Sequence, residues 1–428
     1  MAIRCWLIGL CAVSALGAAP TFSHDVAPIL YRECISCHRP GGVAPFSLIG
    51  SQDAAKRARL IATVTANHYM PPWLPSEPRF QHERKLTAAE IATLAHWAEA
   101  GAPAGNPAET PAPPKFPDGW QLGKPDMEAQ MRAAYEVPAE GADQYRCFVI
   151  PTAPGRDRWV SALDMRPGNS KVVHHAILFQ DISGTARKRD NGTGYSCFGT
   201  PGFLPARGLG GWTPGSQPAR MPDGIPELLH GGADLVLQVH YHPTGKPETD
   251  RTRLALYFTG QKPTRRVMDL PLGSNHIDIP AGERNYKVTD HFTLPVDVDA
   301  LGINPHAHYV CREMYGYAVL PDGSRRTLIR IPAWNFDWQQ QYTFATPIRL
   351  PEGTRVEMEF TYDNSEGNPR NPNHPPKRVT TGPGSTDEMA GLHVELAPVQ
   401  PGDAEELSQA LWGKMMRQLG GGLYRPPR

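Results

Sequence analysis

The chain lacks an excess of either charge, with 43 Lys and Arg against 43 Asp and Glu. A balanced surface gives no electrostatic basis for binding nucleic acid or an anionic membrane. It also lacks any apolar run beyond the N-terminus long enough to cross a bilayer, which takes about 20 residues. No membrane span is therefore expected in the mature chain. Cysteine is scarce, 7 in 428 residues, which excludes a disulfide-dense scaffold. Cys5 and Cys11 lie in the N-terminal stretch, and Cys34 and Cys37 belong to a motif taken up below. Cys147, Cys197 and Cys311 remain. An odd number allows at most one internal disulfide and leaves one thiol over. Buried single cysteines are the alternative.

Proline (45) and glycine (41) are plentiful, which favours a loop-rich, mostly β protein over a helical one. The length exceeds one ordinary core, so two or three domains are expected. Residues 1–19 read as a signal peptide: Arg4 supplies the positive start, Cys5 to Leu16 the apolar core, and Gly17, Ala18 and Ala19 the small residues for cleavage. A periplasmic or secreted bacterial protein follows; an uncleaved anchor is the alternative.

Residues 20–101 read as a small helical domain. It contains Cys34-Ile35-Ser36-Cys37-His38, the c-type haem attachment motif. Two thiols one helical turn apart suit the two haem vinyl groups, and His38 follows to bind the iron. A zinc site would need a second ligand pair nearby, and no cysteine follows until Cys147. Met70, in a Pro-rich loop, is the candidate sixth ligand, with His68 the alternative. His/Met ligation raises the haem potential. Thr87 and Glu90 form a capping box that opens a helix with Ile91, Leu94, Ala95 and Ala98 on its apolar face. The region resembles small bacterial class I cytochromes c, which implies an all-α domain carrying one covalently bound haem c. Residues 102–118, rich in Pro and Ala, read as a semi-rigid linker.

From 119 onward, short runs such as Ala233 to His240 and Arg355 to Tyr362 alternate with turns, as in β-sandwiches. A break falls near Gln261 to Arg266, dividing 119–262 from 263–400, and 401–428 reads as a helical tail. Histidines cluster on these strands: His174 and His175, then His240, then His306 and His308, followed by Met389. His306 and His308 are two apart and share a strand face. A late thioether beside imidazoles points to copper, because soft sulfur suits Cu(I). His174 and His175 are adjacent and would point to opposite faces of a regular strand, so sharing one ion requires a bend or bulge there. His242 is a candidate outer hydrogen-bond partner. Met314 reads as core, and His276, His291 and His374 as surface.

From Tyr145-Arg146-Cys147-Phe148 to Leu396 this part resembles the copper type II, ascorbate-dependent monooxygenases, the family of dopamine β-monooxygenase and peptidylglycine α-hydroxylating monooxygenase. The resemblance is carried by Val173-His174-His175, Leu235 to Tyr241, His306-Ala307-His308 and Ser385 to Met389, in family order. It implies two jelly-roll-like, all-β copper domains facing a solvent-filled cleft. It implies two copper ions: an electron-transferring one on His174, His175 and His240, and an O2-activating one on His306, His308 and Met389. It further implies hydroxylation of an aliphatic C–H in a small-molecule substrate by O2. Electrons would come through the haem or from a small reductant or redox protein. Asn304, Gly391 and His393 stand where the peptide-hydroxylating enzyme uses Arg, Asn and Tyr to hold a substrate carboxylate. A neutral or aromatic substrate is expected instead, unless Arg312 projects inward. The alternatives are a non-catalytic periplasmic copper-binding or electron-transfer protein, and a copper enzyme acting on O2 or a nitrogen oxide in another way.

Overall fold

The structure is a computed structural model that describes residues 19–423, apart from 118, 151–154, 199, 204–207, 215, 217, 222–224 and 383. Almost all of the signal-peptide stretch lies outside the described residues. The chain divides into two compact units, Met1–Pro71 with Arg84–Pro114, and Pro72–Glu83 with Lys115–Arg428. No helix among the described residues is long and apolar enough to cross a membrane.

The first unit carries helices Ala27–Glu33, Ser51–Ala55, Ala58–Ala66 and Ala88–Glu99. The last begins at the expected capping box: Thr87 Oγ1 accepts from Glu90 N, and Glu90 reaches back to Thr87 N. Its buried face is Leu94 and Trp97, with Ile91, Ala95 and Ala98 half-buried. The stretch expected as linker is not free from its start. Phe22 N and Ser23 N donate to the carbonyls of Pro103 and Ala104, and Trp97 Nε1 also donates to Pro103 O. Proline keeps its carbonyl although it lacks an N–H. A Pro-rich segment can therefore still dock by accepting hydrogen bonds.

The second unit is mostly antiparallel β-sheet. One sheet has the order Tyr195–Ser196, Gln144–Ile150, Asp234–Tyr241, Val173–Asp181, Gly208–Trp212. A second runs Met127–Gln130, Arg253–Thr259, Arg158–Arg166, Ala219–Arg220, with Glu227–Leu229 also on Arg158–Arg166. Leu178, Leu235, Leu237 and Val239 from the first and Val160, Met165, Leu254 and Leu256 from the second form one core. Strand alternation then sends Val236, Gln238 and His240 to the opposite face. There Val236 packs with the Cys147–Cys197 disulfide, and Gln238 Nε2 lies 3.5 Å from Cys197 Sγ. Cys311 is the third cysteine, buried and free.

Two further sheets follow. Met268–Ser274, Ala390–Pro398, Val298–His306, Tyr342–Leu350 make one, and Tyr286–Thr293, Arg355–Tyr362, Cys311–Val319, Arg325–Ile331 the other. Leu392, Ile303 and Phe344 meet Met314, Ile329 and Phe360 in a second core. Two sheet pairs, each around one core, are consistent with two β-sandwiches. The tail helix Ala404–Leu423 adds Leu407 and Leu411 to the second core, and Lys414 Nζ pairs with Asp290 Oδ2 at 2.8 Å.

Residues 72–83, which the sequence places inside the helical domain, pack with this second unit. Glu77 bridges Arg330, Phe80 bridges Phe344, and Gln340 Nε2 donates to Pro72 O. Phe80 is 3% exposed and stacks on Phe344. Burying one such ring contributes about 1.5–3 kcal/mol, and this strap holds Trp73 as well as Phe80 against the core.

Candidate metal centres

The Asp234–Tyr241 strand pairs with Val173–Asp181 so that His240 faces His175, while Tyr241 faces Val173. The ladder therefore skips His174. This is the bulge that adjacency of the two histidines required, and it turns both rings to one side. The ligand nitrogens of His174, His175 and His240 all lie within 4.8 Å of one another. His174 Nδ1 and His240 Nδ1 are 3.2 Å apart. Metal–imidazole bonds of about 2.0–2.1 Å at a tetrahedral angle separate two nitrogens by roughly 3.3 Å, so the donor set fits a bound ion. Burial, reinforced by the neighbouring His240, pushes His174 down to about 3 and His175 well below its ordinary range. Both rings are neutral near pH 7, the form that binds metal.

His240 Nε2 donates to Asp143 Oδ2 at 3.0 Å, because a carboxylate can only accept. That leaves Nδ1 as the nitrogen to offer a metal. The same carboxylate accepts from His242 Nδ1 at 2.7 Å and from Ser385 Oγ. Burial alone would raise Asp143, but these hydrogen bonds, His240's first, hold it well below the usual carboxylate range. Tyr145 stacks on His240 with centroids 4.2 Å apart.

His306 ends the Val298–His306 strand, and His308 lies just beyond it, with ring centroids 5.2 Å apart. His306 Nδ1 donates to Gln339 Oε1, and His308 Nδ1 donates to the Asp387 carbonyl at 3.2 Å. Each ring thus keeps Nε2 for a metal. Burial pushes His306 down to about 3 and lowers His308. Met389 is half-buried and directly precedes the Ala390–Pro398 strand, in which Gly391 faces His306. Glu388, fully buried, ties this segment to the histidines. Its carboxylate accepts from His308 N, Val310 N and Met389 N at 2.9, 2.9 and 3.0 Å. Burial raises Glu388 to about 8, against these same backbone donors.

Phe336 links the two groups. Its ring stacks on His174 at 4.9 Å and meets His308 edge-on at 5.5 Å. The ring stands between the two groups at this level, and the Phe336 backbone carbonyl accepts from Gln339 Nε2. Beside it a cavity of about 270 Å³ is lined by His174, His240, Tyr309, Phe336 and Trp338, with Lys171 among the other lining residues. Asn304 and His393 face each other two residues along from His306 and Gly391, and His393 Nδ1 lies 2.6 Å from Asp269 Oδ2. Neither lines that cavity. Arg312 does not extend the His306 strand; it opens Cys311–Val319 in the other sheet and engages Glu313 and Asn285. Met314 is core, and His276, His291 and His374 are exposed.

In the helical unit, His38 N donates to Cys34 O at 2.9 Å, so the motif forms one helical turn with both thiols half-buried. His38 Nδ1 donates to Phe46 O at 3.3 Å, which frees Nε2 for an iron. Burial pushes the Cys34 thiol up to about 12. A Cβ at Gly42 would sit 2.2 Å from Cys37 O, so only glycine fits under this turn. These residues fit a covalently attached haem. Met70 is half-buried, whereas His68 is exposed and has φ 53°.

The sequence reading missed Asp143, Ser385, Gln339 and Phe336 as site residues, and Glu388 as the clasp between His308 and Met389. Only Ser385 and Glu388 stood inside a quoted motif.

No protein-family model matches the chain, and no curated protein matches it. Among solved structures, the infectious bursal disease virus VP2 subviral particle aligns at 10% identity over 64% of this chain and 71% of that one, with a TM-score of 0.20. A Paenibacillus xanthan lyase aligns at 14% identity over 71% of this chain and 29% of that one, with a TM-score of 0.19. The tandem CBM22-1-CBM22-2 domain of Paenibacillus barcinonensis Xyn10C aligns at 9% over 62% and 80%, with a TM-score of 0.16. Likenesses this low carry no argument about function.

Proposed function

We propose that this protein is a secreted, haem- and copper-dependent monooxygenase that hydroxylates an aliphatic C–H with O2. The observation that carries this reading is the convergence of His174, His175 and His240 within 4.8 Å, across a bulge in an otherwise regular ladder. The four motifs resembling the copper type II monooxygenases support it. So does the pairing of His306 and His308 with the Met389 segment. Copper held by these two groups would supply electron storage and O2 activation, and a haem held by Cys34, Cys37, His38 and Met70 would supply electrons.

The chain's own residues do the rest. Asp143 keeps the proton of His240 on Nε2, and Gln339 and the Asp387 carbonyl keep those of His306 and His308 on Nδ1. Each histidine thereby presents a fixed lone pair without reorganising. Phe336, Tyr309 and Trp338 give the cavity beside the first group one aromatic side, and Asp143, Lys171, His242 and Asp337 give it a polar one. Arg312 pairs with Glu313 in the other sheet and so lends no support to a guanidinium clamp on a terminal carboxylate; a neutral or aromatic substrate remains the reading.

The test is O2 uptake by the copper-loaded, haem-containing protein against a panel of C–H substrates, with isotopically labelled O2. The expected result is a product carrying one labelled oxygen atom. Two bound coppers and a reducible haem with no labelled product from any substrate would favour the non-catalytic electron-transfer alternative.

A further inference from the structure

We propose that Asp143 is a positioning residue that ties the two histidine groups into one unit. Its carboxylate accepts from His240 Nε2 in the first group and from Ser385 Oγ, four residues before Met389, in the second. Its side chain is 12% exposed, so these bonds form largely out of water and are not interchangeable with solvent. A carboxylate has lone pairs for several donors at once, and charged acceptors make the stronger hydrogen bonds. Asp143 thus sets the tautomer of one metal-binding ring and restrains the loop that carries Met389. Ser385 and Glu388 bracket that loop: one ties it to the first sandwich and the other to His308. The inference rests on both groups holding copper, as proposed above.

The test uses full-length protein carrying Asp143→Asn, Ser385→Ala, or both, loaded with copper. Copper content, Cu(I) affinity by competition with a chromophoric chelator, and copper–sulfur scattering in X-ray absorption are measured. Asp143→Asn should weaken retention at the His240 group about ten- to a hundredfold. Both single variants should also lower Cu(I) affinity at the Met389 group about tenfold and weaken the copper–sulfur signal. The double variant should be no worse there than Asp143→Asn alone, because one carboxylate carries both effects. An unchanged copper–sulfur signal in the single variants, or additive losses in the double, would overturn the tie. If Asp143→Asn does not fold, Ser385→Ala decides alone, since it removes one hydroxyl from a half-buried loop. Wild type holding fewer than two coppers would overturn the copper reading itself; two coppers with uncoupled variants would overturn only this inference.

Discussion

The two histidine groups solve one problem in opposite ways. In the first, His174, His175 and His240 stand on neighbouring strands of one sheet, and His240 presents Nδ1, the nitrogen nearer its own backbone. Any ion there is drawn close to a stiff ladder. In the second, His306 and His308 sit at and beyond a strand end and present Nε2, the far nitrogen, while Met389 arrives on a separate segment. Its order comes from the buried Glu388 together with the ladder in which Gly391 faces His306. The contrast teaches where rigidity comes from: sheet register across a bulge in one case, register at a strand end reinforced by a buried acid in the other. On the proposed function, a centre that only passes electrons benefits from unchanging geometry, and one that admits O2 benefits from ligands on longer arms.

Glu388→Ala should have the largest effect, because it strands three backbone N–H groups in the interior. At about 1–3 kcal/mol each, a loss of about 5 kcal/mol is expected in chemical denaturation. A loss below about 1 kcal/mol would show that the second group is not held in this way. Cys147→Ser should come next. The bridge beneath Gln238 closes a separation of 50 residues, worth about 4 kcal/mol on the chain-entropy account. It should destabilise the first sandwich while the copper–sulfur signal of the second group stays intact once the protein is folded.

Acid should strain both groups in the metal-free protein. His174 and His306 are pushed down to about 3 in the folded state, against about 6.5 unfolded. Between those values the unfolded chain binds more protons, so stability rises with pH across the window and falls as pH drops below about 6.5. The melting temperature of metal-free protein should fall from pH 7 to pH 5, and His174→Gln and His306→Gln should each flatten that slope. Equal slopes in wild type and variants would sink the argument. The smallest effect belongs to His242→Ala. That ring is 59% exposed, so stability should change by less than about 1 kcal/mol. Copper retention at the first group should fall only a few-fold, far less than for Asp143→Asn.

Much of this was legible in the residues, and what was not has a physical cause. The bulge followed from two adjacent histidines asked to serve one ion, and the capping box from Thr87 and Glu90. Local chemistry writes itself into local sequence. Asp143 did not show itself, because an Asp two residues past Gly141 reads as a solvated turn residue until Ser385, far along the chain, is seen beside it. Phe336 and Gln339 are of common types, and only the fold brings them to His174 and His306. The strap at 72–83 was hidden by its prolines, which read as loop although Glu77 and Phe80 form bridges.

That strap has a consequence for proteolysis. A protease that cut the Pro- and Ala-rich stretch near Pro113 would leave two fragments, and the N-terminal one would still contain residues 72–83. Its bridges to Arg330 and Phe344, and the Phe80 ring in the second core, would remain in place. The nicked protein should therefore elute as a single species and separate only in denaturant. The C-terminal fragment prepared alone should have a gap beside Tyr342 and Phe344, which a synthetic peptide of the strap sequence could fill.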